Sequence, residues 1–378
     1  MSPGHGGAPS SAEQPGGKGM SRHSKERKEL LLVEGLSVDF ATDDGLVHAV
    51  RDVSFRLESG EVLGIVGESG CGKSVSASAI MGLLPRTATV SGSIRLAGQE
   101  IVGRPAAELR GLRGNTVSMI FQDPMTSLNP VYTVGWQLAE AYRAHHKVPA
   151  KEAREKAVRS LRQVGIPQPD QRARQYPHEF SGGMRQRAMI AMAIINEPSL
   201  IIADEPTTAL DVTVQAQIME MLLGISSDTG AAILLITHDL GVVAGTADRV
   251  QVMYGGTVVE SGRTEELFAR PRMPYTVGLL GSVPNPEQVG RPLTPIHGAP
   301  PSPLHLPPGC TFGPRCPLVA DVCRASEPEL VTITDWHATR CHRWAELSGD
   351  QAAGMFEQSE IGLREAPAAD LVDTGDER

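Results

Sequence analysis

Aromatic residues are scarce in this chain of 378 residues: Phe, Trp and Tyr make up 4% of it, against 40% hydrophobic residues in all. A core of this composition must rest on aliphatic packing rather than on rings. Long apolar runs are missing as well, and none approaches the ~20 residues that a membrane-spanning helix needs. Work at a membrane would therefore require a partner to hold the chain there. The first residues are rich in Gly, Ser and Pro without a hydrophobic stretch, so no secretory signal is expected. Positive charge is in deficit, with a net charge of −9. That argues against nucleic acid as a partner, because a phosphate backbone demands a cationic face. The length suffices for two or three folded units with a sizeable core.

What is present centres on Gly67-Glu68-Ser69-Gly70-Cys71-Gly72-Lys73-Ser74. The apolar run Val62 to Val66 before it reads as a buried strand, and Val75 to Leu84 after it as a helix. Strand, glycine-rich turn and helix in that order is the context of a phosphate-binding P-loop. The glycines let backbone N–H groups curl toward phosphate oxygens, and the helix aims its positive end at the same point. Lys73 would reach the β- and γ-phosphates, and the Ser74 hydroxyl would sit on Mg²⁺.

Around this loop the pattern predicts an α/β fold. Residues 1–28 are low in complexity and end in the basic residues Arg22, Lys25, Arg27 and Lys28; they read as a disordered tail. Leu30 to Phe40, Val47 to Leu57 and Val90 to Leu96 read as strands of a mixed β segment flanking the P-loop. Such a segment offers a ring to stack on adenine. Phe40 is the candidate, with packing in the sheet as the competing role and His48 as a neighbour. Thr116 to Phe121, Leu200 to Ala203 and Ala231 to Ile236 read as further buried strands. Helices are expected over Val134–Ala144, Lys151–Val164, Met184–Ile195 and Val212–Ser226, and a closing hairpin around Gly255-Gly256. The alternation argues for a mainly parallel sheet covered on both faces. Residues 291–308 hold seven prolines and read as an extended linker; residues 346–378 carry nine acidic and two basic residues and read as a disordered acidic tail.

Three strand ends carry chemistry. Asp204 and Glu205 follow the run Leu200 to Ala203, at the sheet edge where ligands of α/β proteins sit. Asp204 suits Mg²⁺, and Glu205 suits a general base that polarises water. Gln122 and His238 also end apolar strands, the first able to bond a metal-bound or attacking water, the second to reach the γ-phosphate.

Taken together, these segments resemble the ATPase subunit of an ABC transporter. Residues Gly67 to Ser74 are similar to its Walker A loop, Gln122 to its Q-loop, Phe180-Ser181-Gly182-Gly183-Met184 to its signature, Leu200 to Glu205 to Walker B, Ala209-Leu210-Asp211 to its D-loop, and His238 to its H-loop. Met184 stands where the wider family usually has Gln. The resemblance narrows to the oligopeptide/dipeptide importers on Phe121 to Pro130, Phe180 to Arg187 and Ala203 to Asp211, and Met184 is typical of their D-type subunit. Related importers of nickel or other small solutes share much of this pattern.

The resemblance implies an ABC ATPase domain over residues 29–265, with a helical subdomain at about 123–190, and a C-terminal peptide-importer extension over 266–345. It implies that Gly67 to Ser74 and Val75 contact ATP, that Glu205 is the general base and that His238 stabilises the γ-phosphate. It also implies that two ATPase subunits close head to tail, so that Ser181, Gly182, Gly183 and Met184 meet nucleotide held by the other chain while Asp211 crosses between them. The implied partners are a distinct F-type ATPase subunit, two transmembrane permease subunits and an extracytoplasmic peptide-binding protein, with the chain peripheral on the cytoplasmic face of the membrane. A soluble ABC ATPase with a metal-sensing C-terminal module is the rival reading.

Four of the five cysteines, Cys310, Cys316, Cys323 and Cys341, cluster with spacing C-x₅-C-x₆-C-x₁₇-C. Without an export signal, this suggests metal rather than disulfides. Four thiolates suit zinc or an iron–sulfur cluster, although the tight C-x₂₋₄-C pair usual for zinc is missing. His337 and His342 are further candidate ligands. The resemblance to peptide-importer ATPases implies a [4Fe–4S] cluster, with Zn²⁺ as the alternative. Cys71, inside the P-loop, reads as a small residue whose backbone matters.

Overall fold

A register shift in the first strand turns its apolar residues from one parity to the other. In β1 (Glu29–Thr42), Leu31 and Val33 are fully buried, and so are Leu36 and Val38 beyond the irregularity between Val33 and Leu36. The extra residue of this bulge lets both halves face one core. The computed structural model describes residues 28–123, 127–208, 211–282, 295–347 and 355–356. Residues 1–27 of the expected N-terminal tail, and the acidic tail apart from residues 346, 347, 355 and 356, lie outside the described residues.

Strand β1 pairs with β2 (Gly45–Glu58), joined by the tight turn at Asp43-Asp44, and on its other edge with β4 (Ala88–Leu96), which carries β5 (Gln99–Glu100). All these pairings are antiparallel, so the mixed segment expected here is an antiparallel sheet. The short turns after β1 and β4 permit only reversal of the chain.

The second sheet is the mixed one, in the order β11 (Val331–Thr334), β12 (His337–Thr339), β10 (Thr257–Arg263), β9, β3, β8, β7, β6. Its parallel part runs from β9 (Arg249–Tyr254) through β3 (Val62–Val66), β8 (Ala232–Thr237) and β7 (Leu200–Asp204) to β6 (Val117–Ile120). All residues of β3, β6, β7 and β8 are buried, as strands covered on both faces must be. Alternate residues divide between two cores: Leu63, Ile65, Ile202 and Leu234 face the antiparallel sheet, whereas Val62, Val66, Ile201 and Ile233 face the helices.

All five expected helices are present, and six further ones occur among the described residues. Together they are α1 (Lys73–Ile80), α2 (Ala106–Leu112), α3 (Val134–Arg143), α4 (Ala150–Gln163), α5 (Pro169–Arg172), α6 (Gly182–Ile194), α7 (Val212–Thr229), α8 (Leu240–Thr246), α9 (Thr264–Ala269), α10 (Pro274–Gly281) and α11 (Asp321–Ala325). Ala153, Ala157 and Leu161 form the buried stripe of α4, at the i, i+4, i+8 spacing of a helix face. Helix α7 starts on the Asp211 side chain, which accepts the Val214 N–H at 3.0 Å, and ends at Gly230, whose φ of 74° closes it in the left-handed region. Among the described residues no helix is long and apolar enough to cross a membrane.

The C-terminal region, expected as an extension over residues 266–345, adds strands to the main sheet. Strand β12 (His337–Thr339) pairs antiparallel with β10 (Thr257–Arg263), matching Glu260 to Thr339, and carries β11 (Val331–Thr334) as the edge. Residues 295–308 form no regular element, as expected of a proline-rich stretch, yet they are a strap laid on the domain. The His48 N–H donates to the Pro303 carbonyl at 3.3 Å. The acidic segment also departs from expectation: Leu347, Met355 and Phe356 are buried in the helix-side core. These apolar side chains supply the burial that acidic neighbours cannot.

Phe312 is fully buried, with its ring 5.3 Å from Tyr254 edge-on and 5.4 Å from Tyr275. Its truncation in Phe312→Ala should cost about 3–5 kcal/mol of stability. Because β12 is bonded to β10, the C-terminal region and the main sheet should melt together in urea. A separate early transition in the variant, seen by circular dichroism and tryptophan fluorescence, would contradict that coupling.

Candidate nucleotide site

Four strand ends of the parallel sheet deliver the site. Beyond Val66 the chain turns through Gly67 at φ 153° and Gly72 at φ 101°. A Cβ on Gly67 would lie 2.2 Å from the Met253 carbonyl oxygen, and one on Gly72 would lie 2.5 Å from that of Ala49. Only glycine lets the loop nest this closely against β9 and β2. Inside the loop the buried Lys73 ammonium donates to the carbonyls of Gly67 at 2.7 Å and Glu68 at 2.9 Å. Cys71 is buried, its thiol pushed up by burial with Lys73 opposing the shift. Ser69, Gly70 and Ser74 are exposed, and Val75 packs toward the antiparallel sheet.

The Ser74 hydroxyl donates to Asp204 Oδ1 at 3.0 Å, joining two of the three residues expected at Mg²⁺; the third, Gln122, bonds the neighbouring Glu205 instead. Burial raises the Asp204 carboxyl, with the Ser74 hydrogen bond lowering it and the Glu205 charge raising it. Glu205 next door holds φ at 47°, a conformation costly for a residue with a Cβ. Its N–H is fixed on the Ile236 carbonyl at 2.8 Å. The Glu205 carboxylate is surrounded: Gln122 Nε2 and Thr208 Oγ1 each donate at 2.9 Å, and His238 Nδ1 lies at 3.2 Å. Burial pushes the Glu205 carboxyl up, but the bonds from His238 and Thr208 and the charges of His238 and Lys73 outweigh it and hold the group below its ordinary value.

Gln122, Glu205 and His238 therefore form one cluster, with the Gln122 amide on the carboxylate. Thr208 belongs to the same cluster and was missed in the sequence, where it read only as part of the run after Walker B. Gln186 was missed too: from within α6 its buried amide donates to the Pro206 carbonyl and ties the signature helix to the Walker B turn. Ser181 caps α6, its hydroxyl accepting the Met184 N–H at 3.4 Å, and Ser181 and Gly182 are exposed while Gly183 is half-buried. Met184 packs against the core, so its side chain turns inward from the exposed helix start. Asp211 is exposed at the head of α7; residues 209 and 210 lie outside the described residues.

Phe40 is half-buried in β1 opposite Val47 and Ala88 and packs with the antiparallel-side core. A cavity of about 280 Å³ lies beside the loop, walled by Glu68 to Cys71, Tyr254 and the strap at Pro300 to Pro303. His48 lines it and Phe40 does not, so of the two it is His48, bonded to Asp39 at 2.7 Å, that neighbours the P-loop.

Cys310, Cys316, Cys323 and Cys341 all line one cavity of only about 10 Å³. Among the described residues, however, no three His, Cys, Asp or Glu side chains converge closely enough to hold a metal ion. Burial pushes the Cys316 thiol up to about 12 and that of Cys341 to about 11, and raises Cys310. Of the expected alternative ligands, His337 is corrected: it is buried with Nε2 2.8 Å from Glu260 Oε1, and is spent on that pair. His342 lines the cavity, with Nε2 3.1 Å from the Ser326 carbonyl.

Fold and site together define a P-loop nucleotide-binding domain of the ABC type. The family model for the ABC transporter matches residues 50–208, and that for the oligopeptide/dipeptide transporter C-terminal region matches residues 259–323. The oligopeptide transport ATP-binding protein OppD of Mycobacterium tuberculosis (strain ATCC 25618 / H37Rv) is 54% identical over 329 residues, which are 86% of this chain and 54% of that protein. The chain thus spans about half the length of this mycobacterial relative. The dipeptide transport ATP-binding protein DppD of Bacillus subtilis (strain 168) is 51% identical over 333 residues, 85% of this chain and 99% of that protein. Among solved structures, the dimeric bacterial ABC transporter cassette MJ0796 superposes with a TM-score of 0.56 at 25% identity, covering 62% of this chain and 99% of its own. The chain belongs to the family of ABC transporter ATP-binding proteins, in its oligopeptide/dipeptide branch.

Replacing His238 by Ala removes a hydrogen bond and a charge that lower Glu205, so the carboxyl should titrate closer to its ordinary value. A lowered folded-state pKa stabilises the fold above the unfolded value, and that stabilisation is lost as pH falls through the folded value. The His238→Ala variant should lose it at higher pH. Carboxyl ¹³C titration of Glu-labelled protein checks this; an unmoved Glu205 would assign its shift to other groups.

Proposed function

We propose that this chain is the ATP-hydrolysing subunit of an importer of oligopeptides or dipeptides, peripheral on the cytoplasmic face of the membrane. The observation that carries the reading is Glu205, held by Gln122, Thr208 and His238 beside the Ser74–Asp204 pair, in a chain whose relatives are named as peptide transport ATP-binding proteins.

In this reading the loop from Gly67 to Ser74 wraps the phosphates with backbone N–H groups, and Lys73 moves from its two carbonyl partners to the β- and γ-phosphates. Ser74 and Asp204 would hold Mg²⁺ with Gln122 nearby, and the ion, when bound, neutralises charge developing on the phosphates. The lowered pKa of Glu205 keeps it ionised at neutral pH, ready to take a proton from the attacking water. His238 bonds Glu205 on one side and presents its exposed ring to the γ-phosphate. One chain supplies one phosphate loop and one signature. The exposed Ser181 and Gly182 at the start of α6, with Gly183, would meet the γ-phosphate of ATP held by a second ATPase subunit, of the F type, in a head-to-tail dimer, with Asp211 at the junction. That MJ0796 is described as dimeric favours this arrangement. The helical subdomain around α3 and α4 would pass closure to two transmembrane permease subunits, fed by an extracytoplasmic peptide-binding protein.

Glu205→Gln should bind MgATP normally yet lose at least about a hundredfold in turnover, the usual worth of a general base. Near-parental hydrolysis in that variant would remove Glu205 from the role.

For the cysteines, the same proposal includes a [4Fe–4S] cluster on Cys310, Cys316, Cys323 and Cys341, with Zn²⁺ as the alternative. The all-thiol donor set around one cavity supports it, as do backbone N–H groups directed at the sulfurs of Cys310, Cys316 and Cys341, although the four sulfurs, which do not converge in this structure, would have to draw together around the group. Such a group would link segments that meet at the Cys310 N–H to Cys323 carbonyl bond of 2.7 Å. Anaerobically purified protein should carry iron and sulfide with a broad absorbance near 400 nm; stoichiometric zinc without iron would select the alternative.

A further inference from the structure

The second residue of the phosphate loop is gripped from outside by the C-terminal region. Arg315 lies in the turn Gly313–Arg315, between Cys310 and Cys316, far along the chain from the loop. Its guanidinium meets the Glu68 carboxylate fork to fork, Nη1 to Oε2 at 2.7 Å and Nη2 to Oε1 at 3.0 Å. The Arg315 side chain is 6% exposed. Its remaining donors are committed as well: Nε to the His297 carbonyl at 3.0 Å, Nη2 to that of Ile296 at 3.1 Å, and Nη1 to the Tyr254 hydroxyl at 3.3 Å. A second contact fixes the backbone of the same residue. The Glu68 N–H donates to the Tyr275 hydroxyl at 2.8 Å, and Tyr275 is fully buried against Tyr254 and Phe312. Lys73 meanwhile bonds the Glu68 carbonyl from within the loop.

Arg315 and Tyr275 both fall in residues 259–323, matched by the oligopeptide/dipeptide C-terminal model, and neither falls in the segment matched by the general ABC model. We infer that Arg315 is a positioning residue for ATP binding: it holds Glu68 outward and neutralises its charge, so that the P-loop presents its N–H groups to a polyphosphate. A free carboxylate on the second loop residue would repel the triphosphate and loosen the turn. The bidentate geometry matters because it fixes the direction of the carboxylate as well as its charge. In this arrangement the C-terminal region sets the nucleotide affinity of the ATPase domain.

This inference rests on the ATP-binding reading above, and binding of a fluorescent methylanthraniloyl-ATP with Mg²⁺ to the full chain separates the two. Arg315→Ala should weaken binding about tenfold and Arg315→Lys, which keeps charge without the fork, about threefold. Adding Glu68→Gln to Arg315→Ala removes the freed charge and should bring affinity back to within about threefold of the parent. A purely structural role for Arg315 predicts no such recovery. Should Arg315→Ala fail to fold, Arg315→Lys and Tyr275→Phe carry the test, the latter also expected to lose about threefold. Unchanged affinity in the Arg315 variants, or a double variant as weak as Arg315→Ala, would overturn the positioning role. A parent chain that binds no nucleotide would overturn the reading beneath it.

Discussion

Parallel pairing of β6, β7, β8 and β3 is the constraint on which the site depends. In register, Ile120 lies beside Ala203, Asp204 beside Ile236, and Val66 beside Thr237. Parallel strands end at the same edge, so four loops leave the sheet together and bring Gln122, Glu205, His238 and the phosphate loop within bonding reach. The burial of these strands on both faces makes the edge rigid, because each strand is fixed by two cores at once. A glycine-rich loop and a strained glutamate are held in place by this frame.

Two adjacent carboxylates on that edge respond in opposite directions. Asp204, deeper and bonded chiefly to the Ser74 hydroxyl, is raised by burial; Glu205, ringed by an amide, a hydroxyl and an imidazole, is lowered. Environments that separate the proton affinities of neighbouring acids also separate their roles. Asp204 is the group that gains most from a cation, and Glu205 the one that stays ionised without one.

Local spacing made much of this legible. The glycines, lysine and serine of the P-loop lie within eight consecutive residues, and apolar runs that stop at Gln122, Asp204 and Thr237 mark strand ends without any knowledge of their neighbours. Contacts between distant segments left no such trace. Nothing in the sequence around Glu68 or Arg315 announces their pairing, and Thr208 and Gln186 carry no pattern that sets them apart from other polar residues. Where one residue type serves two roles, spacing alone left the choice open. His337 resembles a thiol-cluster ligand by proximity in sequence, but the pairing of β12 with β10 buries it on Glu260. Phe40 stays in its sheet while His48, on the facing strand, reaches the loop cavity. The strands through which the C-terminal extension joins the main sheet left no mark in the sequence, because a strand as short as His337–Thr339 is too brief to show alternation.

That short strand has a further consequence, in the order of synthesis. Strand β10 is translated well before Thr339, its partner across the ladder. Until then the growing chain holds a nearly complete sheet with one raw edge, the kind of edge that pairs with whatever strand is near. The strand that closes this edge, His337–Thr339, emerges only after residues 264–336 have been made. Its partner β11, four residues long and mostly exposed, then becomes the outermost strand, too brief to template another chain.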